Sequence, residues 1–141
     1  MAKKHTDALK AKTQEIAAFA TKTFVTVAQY PNSAVKPEPP YIVWHPANGT
    51  NSQPGVTAPR STKNPRFTGH IVGESADQVQ VLTDLLEAKL SPGGRGIVMS
   101  VAGERSKPVQ FACPLPIRVQ MDPLPPVIYA VVEVGWSADP L

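Results

Sequence analysis

The chain has 141 residues, the length of one domain with room for a core of its own. Its net charge is +3 at pH 7, apolar residues make up 42% of it, and it has one cysteine, Cys113. That excludes an internal disulfide framework and a cysteine zinc cage, and the longest apolar run, Val127 to Val132, is far short of the ~20 residues of a membrane-spanning helix. A soluble chain with no membrane partner is expected. The early lysines are followed by more charge and not by an apolar segment, so no secretory signal is read there. Proline is the outlier, with 16 residues against a usual share of about 5%. Clusters at Pro37–Pro40, Pro114–Pro116 and Pro123–Pro126 bar helix and central strand, and read as rigid connectors.

Charge is uneven along the chain. Residues 1–36 hold six lysines against two acids, a balance of +4, while the rest holds eight basic and nine acidic residues. Such a basic segment suits nucleic acid or an acidic partner, although a solvated helix face is the plainer reading. Thr6-Asp7 can cap a helix, and Leu9, Ile16, Phe19 and Ala20 give a thin apolar stripe that predicts a helix from about residue 6 to about 21. TFVTVA (23–28) alternates and reads as a short strand, followed by a turn-rich connector up to Pro40. YIVWH (41–45) is a strand. Residues 46–65 contain one large aliphatic side chain, Val56, and read as a long loop of a kind that is uncommon without a role. Arg60, Lys63 and Arg66 lie at its distal end. Phe67 to Gly73 returns as a strand, with Phe67 and Ile71 on one face and His70 off it. Strand, excursion and returning strand predict an extended β-hairpin arm projecting over 46–66.

ADQVQVLTDLLEAKL (76–90) is the clearest helix. Val79, Leu82, Leu86 and Leu90 recur at three- and four-residue spacing, with Leu85 beside them. Ser91-Pro92-Gly93-Gly94 stops it. Gly96–Val101, Val109–Phe111 and Ile117–Met121 are short strand candidates. Val127–Trp136 is the strongest strand. Its even positions, Ile128 to Trp136, form an entirely apolar face, and its odd positions include Glu133 and Gly135.

Candidate chemistry fails to assemble. In GHIVGESADQ (69–78), Ser75 lies where a strand gives way to a helix, but a nucleophile elbow needs G-x-S-x-G, and the second glycine is Asp77. No histidine follows Ser75, so the order serine, acid, histidine is impossible. Ser75 with Gln78 is instead S-x-x-Q, a capping box, and Asp77 and Lys89 suit the helix dipole. Gly93-Gly94-Arg95-Gly96 follows a helix, where a phosphate loop follows a strand and opens one. His45 and His70 meet if their strands pair, yet two histidines without a third ligand are a weak metal signal. No catalytic residue, metal or cofactor is expected.

In this order of elements, PPYIVWHP, the junction RFTGHIVGESADQ and the final PLPPVIYAVVEVGW resemble the tail terminator, or tail-completion, proteins of long-tailed bacteriophages, particularly those of actinobacteria. The resemblance covers about residues 5 to 138. It implies an α+β subunit whose antiparallel or mixed sheet of about 4–5 strands carries two helices on one face, with the long hairpin-like arm, in a single domain over 1–141. It further implies a virion protein of the tail or neck, assembled in the host cytoplasm. Six subunits would form a ring on the head-proximal end of the tail tube, between tail tube protein and the head-side connector or stopper. Arg60, Lys63, Arg66, Arg105 and Lys107 are the candidate contacts to a neighbouring subunit or to passing DNA, by weak, salt-screened phosphate attraction. A head–tail stopper, a tube subunit and, further off, a DNA-binding protein are the alternatives.

Overall fold

The computed structural model describes residues 2–26, 38–52, 62–101, 103–120 and 127–140. Arg60, most of the connector 30–40, residues 27–28 of the expected first strand and the cluster Pro123–Pro126 lie outside them. Helix α1 (Ala2–Gln14) leads through a short 3-10 turn (Ala17–Phe19) to β1 (Thr23–Val25). The hairpin β2 (Tyr41–Ser52) and β3 (Thr62–Gly73) follows, then α2 (Ala76–Leu90) and a second 3-10 turn (Pro92–Gly94). Five more strands complete the chain: β4 (Glu104–Ser106), β5 (Gln110–Ala112), β6 (Arg118–Gln120), β7 (Val127–Gly135) and β8 (Ala138–Pro140).

The eight strands among the described residues belong to one mixed sheet whose main order is β1-β2-β3-β7-β5. β1 runs parallel to β2, and the other pairs are antiparallel. β6 shares the outer edge of β7 with β5, while β8 bridges β3 and β4. The α+β class with two helices on one face is therefore the observed one. The strand count exceeds the expected four or five because five of the eight, β1, β4, β5, β6 and β8, are three-residue pieces along the sheet's margins.

Register puts Ile42, Ile71 and Ala130 in one row, Trp44, Gly69 and Val132 in the next, and Phe67 beside Val134 in a third. These residues are buried in one cluster with Leu9, Ile16 and Phe19 from the N-terminal segment and Val79, Leu82, Leu86 and Leu90 from α2. Gly69 is required there. A Cβ would stand 2.6 Å from the Trp44 ring and 2.9 Å from Val132, so the missing side chain is the space the indole occupies. The opposite face carries Tyr41, Val72 and Tyr129, then Val43, His70 and Val131, then His45, Thr68 and Glu133.

Several expectations are corrected. α1 begins at Ala2 and ends at Gln14, so Thr6-Asp7 lies inside it and caps nothing. Its buried positions are His5, Leu9 and Thr13, one face at four-residue spacing. Two of the three are polar, which hid the stripe. The extended hairpin expected over 46–66 is present, but its described residues, expected as loop, are strand, with Thr50↔Asn64, Asn51↔Lys63 and Ser52↔Thr62 paired beyond a register shift between Ala47 and Thr50. Ladder hydrogen bonds need no apolar side chains, so a hairpin can run on in polar sequence. Pro46 is tolerated within it. Ile42 donates to Lys22 and Trp44 accepts from Thr26, so even-numbered residues of β2 turn their backbone toward β1. Among the described residues β1 ends opposite Trp44, so no described strand calls for the N–H that Pro46 lacks. Residues 96–101 are not a strand. Only Val98 forms a bridge, to Pro108, while Met99 and Val101 are buried one by one.

Candidate functional site

Ser75 sits at the N-cap of α2 in extended conformation (φ −145°, ψ 161°), and its Oγ accepts from the Gln78 N–H at 3.1 Å. Gln78 Oε1 in turn accepts from the Glu74 N–H at 2.7 Å, one residue before the cap itself. Ser75 is exposed and no histidine is hydrogen-bonded to it. Its hydroxyl satisfies a helix end and has no general base.

His45 and His70 do meet, with ring centroids 4.9 Å apart and edge to face, and Tyr129 stands 5.8 Å from His70. Burial, then the nearby His45, lowers the His70 pKa from its ordinary value. Among the described residues no three His, Cys, Asp or Glu side chains come together in a metal-holding set, and no helix is long and apolar enough to cross a membrane. Cys113 is exposed, and partial burial followed by the Glu87 charge pushes its thiol pKa up, the reverse of what a thiolate nucleophile needs.

The basic residues separate into two groups. Three lysines of the N-terminal segment are answered within the molecule. Lys4 Nζ lies 2.9 Å from Glu104, Lys12 Nζ lies 3.4 Å from Glu15, and Lys22 Nζ donates to the Glu38 carbonyl at 3.0 Å. His5, 2% exposed, joins them with its Nε2 2.6 Å from Glu104 Oε2. Burial acts to raise the Glu104 pKa, but the hydrogen bonds and charges of Lys4 and His5 outweigh it, and the carboxyl is held below its ordinary value.

The second group forms no ion pair among the described residues. Of the sequence-predicted contacts, Lys63 is half-buried in β3 opposite Asn51 and Ala138. Arg105 is exposed in β4 opposite Asp139. Arg66 and Lys107 are brought together. With Arg95 they line an open cleft of about 710 Å³. Its walls are the turn Gly94–Gly96 and the segment Lys107–Gln110, and Trp136 and Ser137 close it. Arg66 reaches it by lying across Gly135, where a Cβ would fall 2.1 Å from its Nη1. The walls are tied by Val109 N–H to the Ile97 carbonyl (2.9 Å) and Lys107 N–H to the Ser137 carbonyl (2.8 Å). Arg95 was missed in the sequence because GGRG at a helix end reads as a stop, and only the fold places it opposite Lys107.

No protein-family model matches the sequence, and no curated protein matches it. Among solved structures, a chain from the virion of a native gene transfer agent (GTA) particle superposes with a TM-score of 0.50 at 14% identity. The match covers 94% of this chain and 96% of that one. The two share a fold over nearly their whole lengths.

Proposed function

We propose that this chain is a structural subunit of a phage-like virion and, within it, a tail terminator. Six copies form a ring on the head-proximal end of the tail tube, stop its growth and offer a joint to the head-side connector. The observation that carries the virion reading is the end-to-end fold likeness to a chain of a virion particle. The finer reading is supported by the order of sequence phrases that resemble tail-completion proteins. It is also supported by the 12-residue strands of the β2–β3 hairpin, whose pairing runs on beyond the register shift between Ala47 and Thr50. Such a protein works by shape. It matches the growing end of a tube on one surface and fails to reproduce that end on the other. Weak subunit contacts gain strength when the ring binds as one body, and no catalytic group is called for.

The test is polymerisation of tube protein with and without the purified chain, followed by electron microscopy. The terminator reading expects arrested elongation and six-fold rings at one tube end. Tubes of equal length in both samples would refute it and favour a stopper role at the same joint.

A further inference from the structure

We infer that the cleft between Arg66, Arg95 and Lys107 is a binding site for an acidic segment of a partner protein, an extended chain that presents carboxylate side chains. The inference stands on the cleft and does not require the ring.

Three cations border one concavity of about 710 Å³ with no carboxylate among its lining residues. None of the three forms an ion pair among the described residues. Glu133, a neighbour along the sheet, lines the adjacent hollow with Arg66 and not this one. Elsewhere in the molecule Lys4, Lys12 and Lys89 are paired with Glu104 and Glu15, whereas these three cations share one concavity. Two guanidinium groups offer planar forks that match carboxylates two bonds at a time, and the lysine adds a point charge.

The shape favours a peptide over a duplex. Pro108, Val109 and Trp136 form apolar parts of the lining, and these suit the methylenes and backbone of an extended chain. Phosphates on a duplex lie on a convex ridge and call for a continuous basic stripe, whereas this site is concave. The walls are already fixed by the hydrogen bonds of Val109 and Lys107, so little ordering cost is left for binding.

The test is fluorescence anisotropy with the full chain and a short labelled peptide of alternating glutamate and alanine. A glutamine–alanine peptide and a DNA duplex of matched charge serve as the other probes. The acidic peptide is expected to bind, more weakly as salt rises. Arg95→Gln and Lys107→Gln should each weaken it about tenfold or more, the loss of a charge-assisted bond. Arg95→Lys should fall between, because it keeps the charge and loses the fork. Arg105→Gln removes the same charge outside the cleft and should change affinity by about twofold or less. All three positions are solvent-exposed side chains, and thermal melts establish that each variant is folded. The proposal is overturned if the acidic peptide does not bind, if the glutamine peptide binds equally well, if the duplex binds more tightly, or if Arg105→Gln costs as much as Arg95→Gln.

Discussion

The two helices lie on the same face of the sheet and are held there by opposite means. α2 presents four buried aliphatic side chains, Val79, Leu82, Leu86 and Leu90, and starts at a local serine cap. α1 presents Leu9 between two buried polar residues. His5 bonds to Glu104 across 99 positions of sequence, and Thr13 accepts from the Trp44 indole across 31. An apolar face works against any apolar neighbour. A polar anchor works only if its one partner arrives, so α1 is the element whose attachment depends on the C-terminal third of the chain.

The sharpest way to test that difference is to remove one contact of each kind. Leu86→Ala leaves a cavity at the centre of the core and should lower stability by ~2–5 kcal/mol in urea unfolding. Glu104→Gln keeps the shape and removes the charge that Lys4 and His5 share. It should cost about 1.5–3 kcal/mol at neutral pH, the range for hydrogen bonds to charged groups, and proteolysis should then reach α1 first. Acid supplies an independent reading. The folded Glu104 pKa is depressed, so its contribution is complete above the unfolded value and is lost as pH falls through the folded one. Stability of the natural chain should therefore drop below about pH 4.5 by more than that of Glu104→Gln. Equal acid sensitivity in both would show that the anchor is not electrostatic. Next in size is Thr13→Val. The Thr13 hydroxyl donates to the Leu9 carbonyl at 2.8 Å and accepts from Trp44 Nε1 at 3.1 Å. Its loss orphans a buried indole N–H at ~1–3 kcal/mol, read as a lower urea midpoint.

The same division explains what was legible in the sequence. α2 was readable residue by residue, because apolar period, cap and glycine stop all lie within its own stretch. β7 was readable because its alternation is unbroken from Ile128 to Trp136. α1 was misplaced by several residues, since its buried face includes His5 and Thr13 and no periodicity of apolar residues reports a hydrogen bond to a distant Glu104. The β2–β3 arm is legible as a hairpin, but the strands of its far half look like loop in the sequence for a related reason. Its backbone pairs with its partner strand, and a polar sequence carries no alternation to read. β4 and β8 carry three residues each, too few for a pattern. The cleft was half visible: Arg66 and Lys107 were singled out as cations, but their meeting with Arg95 follows from the 3-10 turn after α2 folding back against the segment 107–110, a tertiary fact.

The smallest expected effects belong to the capping box of Ser75 and Gln78, and they separate the helix's local start from its packing. The Ser75 Oγ bond to the Gln78 N–H answers one of the four amides that α2 leaves unpaired at its first turn. Ser75→Ala should cost ~0.5–2 kcal/mol, less than Leu86→Ala, because water can still reach the exposed amide. Ser75→Asp should restore most of it, since aspartate caps as well and adds a charge favourable to the dipole. Gln78→Ala, by contrast, removes only the bond to Glu74 N–H and should cost less than Ser75→Ala. Thermal melts of the three variants rank them. If Ser75→Asp failed to recover stability while Ser75→Ala lost it, the hydroxyl's role would not be capping. α2 would then depend, as α1 does, on a specific partner and not on a sequence-local signal.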